Sequence, residues 1–575
     1  MVLKINCTYF PKVSLVLFLV SIMFLVYSSQ KIVGSYQENN IFGLAEELRS
    51  SYWFGLGLII TSLFLLIFSD LRNIKHEKLF LLEICLLALY LYSIPALVEE
   101  NIYFTDTWDH STGSLSILTQ PKYGPEWYAS RFPGAYFFQS ISFVVTGVNP
   151  VFWMKYYPIL FSVILVLIGY ILLRKMVRNT RMVYFAMIFL VSGSVWVFPE
   201  HFCPNSLALI WYLMIFYFGF SRFSSKTIGL SIFLAITTVI TNPTTLPFLI
   251  LSILAILIAF SLLRKFGISK EGQKRWTLSF IFVAFLLISF LTWLMFNASD
   301  VFVDLVNSGR ILASLNTYLS PQRGVQRVLT ASPRLLVGQA LKIIYSVLYV
   351  FPSAIGALYV LHKKRNSSAR VFAAMGWVAA CFCLGLATAF LQEGEFLERA
   401  LLFSFIPLSV IAVMTCKSKY GGLILIIVLL IGTPLSIFAA YTNDYFEYSP
   451  ISDSYGAKFM VTHGVAGIDN ITKTSVGADY PTSTIIRFYI LLEYPKTLNV
   501  NDTYLLSSNN TFWVWSQTSE RFYFAYERGR SYEQVVATGS QASWIENYSK
   551  MASQPGFNLV YNNEGFMILL GSSNG

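Results

Sequence analysis

Charged side chains are scarce: Asp, Glu, Lys and Arg make up only 12% of the 575 residues, whereas 55% are hydrophobic and 17% aromatic. A soluble globular chain carries about a quarter charged residues, so that class is excluded. The surplus apolar surface needs a solvent other than water. Cysteine is scarce too. Cys7, Cys85, Cys203, Cys381, Cys383 and Cys416 are scattered in or near apolar runs, and none falls in the last 150 residues, which excludes a disulfide framework for the tail. Cys381-Phe-Cys383 is too tight for the usual zinc pair and reads as small packing residues. No internal repeat is visible, which weighs against the paired halves of a transporter or flippase.

Long apolar runs are what the chain has in abundance. Runs near 11–27, 52–69, 78–97, 153–173, 182–198, 206–221, 227–241, 244–262, 277–296, 338–361, 371–390, 397–416 and 421–441 predict about thirteen transmembrane helices over residues 1–441. The first lacks a convincing small-residue cleavage site before Tyr27-Ser28-Ser29 and is read as a retained anchor rather than a cleaved signal. The net charge of +11 does not point to nucleic acid, because twenty of the 41 basic residues fall in six short loops between runs. Short loops rich in Lys and Arg stay cytoplasmic. This predicts a multi-pass cell-membrane protein with its N-terminus inside and its C-terminus outside. Residues 132–148 are apolar enough to cross but would reverse every later loop, so a re-entrant or interfacial helix at the outer surface is expected there.

The tail, residues 442–575, changes character. It is rich in Tyr, Asn, Ser and Thr, carries 12 acidic against 8 basic residues and has no run long enough to span. Alternating patches at Arg521 to Tyr526, Asn558 to Tyr561 and Gly565 to Leu570 predict strands, the last two joined by a turn at Asn562 to Gly565, and Ala542 to Met551 predicts a helix. A small extracytoplasmic mixed α/β domain is the expectation. Sequons at Asn470, Asn501, Asn509 and Asn547 fit an exposed surface, but Asn6 and Asn366 show the same pattern on the presumed inside.

Polar and ionisable residues concentrate in the loops assigned outside, 98–152 and 298–337 above all. Asp106-Thr-Trp-Asp109-His110 places two carboxylates one helical turn apart, able to accept a proton or to bind a divalent ion. Glu200-His201 ends one span, Glu398-Arg399 begins another, and Asn242-Pro243 breaks the membrane level between two more. Ionisable groups at membrane depth are costly and tend to line a pathway or site; each of these alone is equally well explained by the headgroup layer. Sugar transfer from a polyprenyl phosphate or diphosphate makes chemical sense of the set. Asp106 or Asp109 serves as the base. Arg399 with Arg323, Arg327 or Arg334 serves as the phosphate contact, and His110, Arg131, Glu200, His201, Asn242 and Glu398 as further substrate-binding positions. Asp106, Asp109 and His201 are the candidate ligands of a cation, Mg or Mn.

On these motifs the chain resembles the GT-C superfamily of membrane glycosyltransferases, whose pattern places an acidic motif in the first large outer loop. Phe198-Pro-Glu-His-Phe-Cys-Pro-Asn-Ser-Leu-Ala208 is similar to a span junction of archaeal members, and Glu395-Phe-Leu-Glu398-Arg399-Ala-Leu-Leu402 to a late junction where an arginine approaches lipid phosphate. The last strands, around Val560 to Ile568, also resemble family tails. The resemblance implies a polyprenyl-linked sugar donor, a surface glycan, lipid or protein acceptor, and an aspartate that acts as base or helps to hold a metal. Two departures stand out. More than one span precedes the acidic loop, and the Trp-Trp-Asp acceptor signature is absent, with Trp513-Val-Trp515 lacking its aspartate. A lipid-linked glycan polymerase or ligase is the nearest rival, with its arginines in the 298–337 loop.

Overall fold

The computed structural model describes residues 9–29, 41–69, 74–99, 102–119, 128–195, 201–221, 224–266, 276–303, 333–362, 369–389, 395–418 and 420–442, and in the tail 451–459, 461–462, 474–478, 485–486, 488–489, 492, 521–527, 557–562 and 566–572. The helical body runs α1 (Phe10–Ser29), α2 (Leu44–Glu47), α3 (Ser50–Phe68), α4 (Ile74–Tyr92), α5 (Ile94–Val98), α6 (Thr105–Thr119), α7 (Tyr128–Arg131), α8 (Gly134–Thr146), α9 (Pro150–Met176) and α10 (Thr180–Gly193). It continues with α11 (Pro204–Gly219), α12 (Ser225–Thr241), α13 (Thr245–Lys265), α14 (Phe280–Asn297), α15 (Pro333–His362), α16 (Ala369–Ala389), α17 (Glu395–Ala412) and α18 (Gly421–Tyr441).

The expected count of about thirteen spans is corrected. Among the described residues, nine helices are long and apolar enough to cross a membrane: α1, α3, α9, α13, α14, α15, α16, α17 with the 3-10 turn Val413–Lys417, and α18. The helices α10, α11 and α12 have only 14, 16 and 17 residues, about 21–26 Å at 1.5 Å per residue, against about 30 Å of hydrocarbon. Their apolar runs are broken by Gly193, Gly219 and Asn242-Pro243. The fourth, α4, has 19 residues but carries Lys75, Glu77, Lys78 and Glu83.

Packing follows composition. In α10 every residue from Val183 to Gly193 is buried, as expected of a helix apolar on all sides, and it touches α4, α9, α17 and α18. Phe80 of α4 stacks on Tyr184 at 3.7 Å between ring centroids, and Phe216 of α11 on Trp377 of α16 at 3.8 Å. At the periphery α1 buries only Ser14, Ser21 and Ser28, seven residues apart on one stripe, and lies along α3. Small residues let helices approach closely where lipid competes equally for apolar side chains.

The tail also departs from expectation: its described residues do not form an α/β domain separate from the helical body. Its described residues are α19 (Ile451–Phe459), short helical pieces at 485–486 and 488–489, and β1 (Thr474–Ala478), β2 (Arg521–Glu527), β3 (Phe557–Asn562) and β4 (Phe566–Ser572). The strands form one sheet ordered β1-β2-β4-β3, with β1 parallel to β2, the other pairs antiparallel, and a register shift between Leu559 and Tyr561. Strands β2, β3 and β4 coincide with the three predicted patches. Part of the tail is built into the helical body, because Phe488 and Tyr489 pack on Trp108 of α6, at 5.0 and 5.8 Å between centroids. The helix expected at 542–551 and the turn residues 563–565 lie outside the described residues.

Candidate active site

The acidic motif occupies the first turn of α6, where Asp106 faces the positive end of the helix dipole. Asp106 is exposed, Asp109 and His110 are half-buried, and Thr107 and Trp108 are buried. Beyond that turn α6 is unusually polar for a buried helix, with Ser111, Thr112, Ser114 and Ser116 all enclosed. Local hydrogen bonds make this affordable: Thr112 donates to the Trp108 carbonyl at 2.7 Å and Ser116 to the Thr112 carbonyl at 2.8 Å.

The helix is clamped by α8, which is two-faced in the reverse of the usual sense. Its buried side carries Ala135, Tyr136, Gln139, Ser140 and Phe143. Its outer side carries Phe137, Phe138, Ile141, Val144 and Val145, with Val145 77% exposed, a surface suited to lipid. The 13 residues of α8 reach about 20 Å, too short to cross unaided. Gln139 is the keystone of the α6/α8 contact: its Oε1 accepts from Ser114 at 2.6 Å and its Nε2 donates to Ser111 at 2.9 Å. Ser140 donates to the Ser114 carbonyl at 2.7 Å, and the Tyr136 hydroxyl is hydrogen-bonded to His110 Nδ1 at 2.9 Å. Gly113 permits this approach, since a Cβ there would lie 2.8 Å from the Tyr136 ring.

A second segment closes on the motif from the start of α11. The His201 ring lies 4.8 Å from that of Phe104, between centroids. The charge of Asp106 acts on His110, His201 and Cys203, which places all four in one neighbourhood. Burial pushes the His110 imidazole below the ordinary histidine range, against the opposing pull of Asp106 and Asp109. Burial pushes His201 down as well; Asp106 opposes that shift and His110 adds to it. Although both rings keep part of their edge exposed, the protein packed around them sets the direction. Thr107 Oγ1, Trp108 Nε1, His201 Nδ1 and Asn205 Oδ1 are buried without a hydrogen-bond partner among the described residues. Unpaired buried polar atoms are rare and costly, and here they ring the acidic turn where a polar ligand or water would satisfy them.

The other expected site residues divide. Arg131 is engaged by Asp300 at 2.5 Å, and its carbonyl accepts from the Trp293 indole at 2.9 Å. Asn242 caps α13, with Oδ1 accepting from the Thr244 amide at 2.8 Å and the Thr244 hydroxyl at 2.6 Å. Glu398 and Arg399 are half-buried in the first turns of α17. Arg334 lies at the start of α15, while Glu200, Arg323 and Arg327 lie outside the described residues. Among the described residues no group of three or more His, Cys, Asp and Glu side chains could hold a metal ion. Sequence reasoning missed Tyr136, Gln139, Thr107, Trp108 and Asn205. Polar Gln139 and Ser140 inside an otherwise apolar segment, one turn past Tyr136, were the signal available for the α8 clamp.

No family model matches the sequence, and no curated protein matches it. Among solved structures the chain is similar to the oligosaccharyltransferase of Archaeoglobus fulgidus, crystallised with zinc and sulfate. Identity there is 14% and the TM-score 0.45, over 85% of this chain and 72% of that one. It is also similar to ArnT from Cupriavidus metallidurans. The apo form matches at 10% identity and a TM-score of 0.36, over 87% of this chain and 99% of that one. The form bound to undecaprenyl phosphate matches at 11% and 0.40, over 86% and 98%. The likeness is one of distant helical architecture and carries no statement about the reaction.

Proposed function

We propose that the chain is a membrane glycosyltransferase that moves a sugar from a polyprenyl phosphate or diphosphate to a glycan, lipid or protein acceptor on the extracytoplasmic face. The observation that carries this reading is the acidic turn of α6, surrounded by His110, His201 and unpartnered polar atoms and backed by a helix whose outer face is apolar. A polar reaction centre and a lipid-facing wall are thus a single helix apart, as a substrate with a sugar head and a hydrocarbon tail requires. In the reaction Asp106, the exposed carboxylate, takes the proton of the acceptor hydroxyl. The hydroxyl oxygen bonds to the anomeric carbon, the bond from that carbon to the phosphate oxygen breaks, and the lipid phosphate leaves with the electron pair. Arg399 at the start of α17 is the proposed phosphate contact.

A divalent cation stays within the proposal only as something to test. Asp106, Asp109 and His201 are its proposed ligands, although they do not stand together as a three-ligand set in this structure, and no step above is routed through it. The test supplies radiolabelled polyprenyl-linked sugars to the purified protein, with and without Mg or Mn. Asp106→Asn is expected to lower transfer by about 10²–10⁴-fold, the usual contribution of a general base. Asp109→Asn separates proton transfer from cation binding, since loss that added cation restores belongs to the latter. Transfer unchanged in both variants overturns the reading.

A further inference from the structure

Away from the acidic turn, α1, α3 and α4 enclose a carboxyl with no cationic partner among the described residues. Glu83 of α4, Ser14 of α1 and Ser62 of α3 are all fully buried, at 0% exposure. The Ser14 hydroxyl donates to Glu83 Oε1 at 2.5 Å. The Ser62 hydroxyl lies 2.9 Å from the same oxygen, 3.1 Å from Ser14 Oγ and 2.8 Å from the Ser14 carbonyl. Two hydroxyl protons thus serve a crowd of four oxygens, and the other carboxyl oxygen, Oε2, is buried with no hydrogen-bond partner among the described residues. Glu83 sits nine residues into α4, about 13 Å along its axis, within the apolar length of the bundle.

Seating α1 does not require this carboxyl. Ser21 donates to the Gly55 carbonyl at 3.0 Å, and Ser28 lies 3.4 Å from Ser51, so two of the three buried serines dock without an ionisable partner. The third meets a glutamate. A carboxylate buried without a positive charge costs several kcal/mol, and the surrounding hard oxygens suit a proton or a small monovalent ion. We propose that Glu83, Ser14 and Ser62 form an intramembrane binding site for a single positive charge, taken up from water as a sodium ion or as a proton.

Titratable groups on the helices packed around α4 are engaged elsewhere or exposed. Those on α1 and α3 are Lys12 and Tyr27, which are exposed, and Tyr52, which donates to the Tyr90 carbonyl. On α9, Tyr170 is bonded to Glu77 and Arg174 lies 3.9 Å from Glu77, and Lys175 lies over the Tyr217 ring. On α10, Arg181 reaches the Ser69 carbonyl and Tyr184 is stacked on Phe80. On α4 itself, Tyr90 donates to the Ser21 carbonyl and Tyr92 is bonded to Ser194; Lys75, His76, Lys78 and Cys85 complete that helix with Glu77. None of these bonds to the Glu83 carboxyl.

The site is independent of the proposed glycosyl transfer. Its test compares the full chain in detergent with Glu83→Gln, a neutral isostere, by thermal unfolding at rising pH in sodium chloride or choline chloride of equal ionic strength. A site that holds its charge only in the fold loses stability as the proton leaves. The wild-type midpoint relative to that of Glu83→Gln, which keeps every other titrating group, is therefore expected to fall by several degrees as pH rises. Recovery in sodium but not in choline identifies a sodium ion, and a decline indifferent to sodium identifies the proton. Superimposable wild-type and Glu83→Gln profiles overturn the proposal and leave a fixed hydrogen-bond node. Should Glu83→Gln fail to fold, labelling of wild-type Glu83 by a hydrophobic carbodiimide, read by mass spectrometry, decides instead. Labelling lost with rising pH or slowed by sodium supports the site; labelling that is absent or indifferent to both overturns it.

Discussion

At the scale of single residues, Gln139 is the side chain on which the acidic turn depends most. It spends both ends of its amide on Ser114 and Ser111, so Gln139→Leu leaves two buried hydroxyls short of partners. Such a loss costs about 1–3 kcal/mol per unsatisfied group. The variant is expected to unfold at lower temperature and to lose transfer activity while keeping its membrane insertion, measured by thermal melts and by the radiolabel assay. His201 gives a different handle. Its folded pKa is depressed from the ordinary 6.5, so the stability tied to its neutral form is complete above that value and lost as pH falls below it. The wild-type melting temperature is expected to drop between neutral and mildly acid pH, and His201→Gln to flatten that drop. Equal slopes for the two proteins would show that His201 does not titrate in the fold.

At the scale of elements, close helix contacts decide which substitutions the body tolerates. Gly356 of α15 faces the backbone of α17 so closely that a Cβ would fall 2.0 Å from the Ile411 carbonyl oxygen. Gly57 of α3 has open space around the same position. Gly356→Ala is therefore expected to destabilise by about 1–3 kcal/mol through forced separation of the helices, while Gly57→Ala leaves stability unchanged or slightly raised. Detergent melts of the two variants, side by side, test the contact. Element α8 shows where periodicity misleads. Its sequence gives an apolar run, yet Tyr136, Gln139 and Ser140 turn inward and Val144 and Val145 outward, because the partner helix α6 is polar.

For the whole molecule, the six short basic loops are proposed to face the cytoplasm and the acidic turn of α6 the opposite side. Single cysteines placed at Lys226 and at Asp300 in a background free of reactive native thiols are expected to react with a membrane-impermeant maleimide from opposite sides of sealed vesicles. Reaction of both from one side removes the orientation and with it the outward-facing site. The tail adds a long-range tie: Tyr489 both packs on Trp108 and bonds Ser454 of α19 at 2.7 Å, so the extramembrane segment reaches the same turn that carries the two aspartates.

Membrane residence, the approximate places of the nine long helices, the three strand patches β2, β3 and β4, and the shared helical turn of Asp106 and Asp109 were legible in the sequence alone, because each rests on local composition or spacing. Of the three short helices only α10 falls short of its apolar run, with 14 residues against 17 for 182–198, because hydropathy does not see where Gly193 ends the helix; α11 and α12 are as long as their runs or longer, and those runs were themselves short for a crossing. What only the tertiary structure decided is which polar groups meet. Ser14, Ser62 and Glu83 are up to 69 residues apart, and Tyr136, His110 and His201 come from three separate segments. Burial can satisfy or orphan a polar atom only once its neighbours across the fold are fixed, and no local pattern records those neighbours.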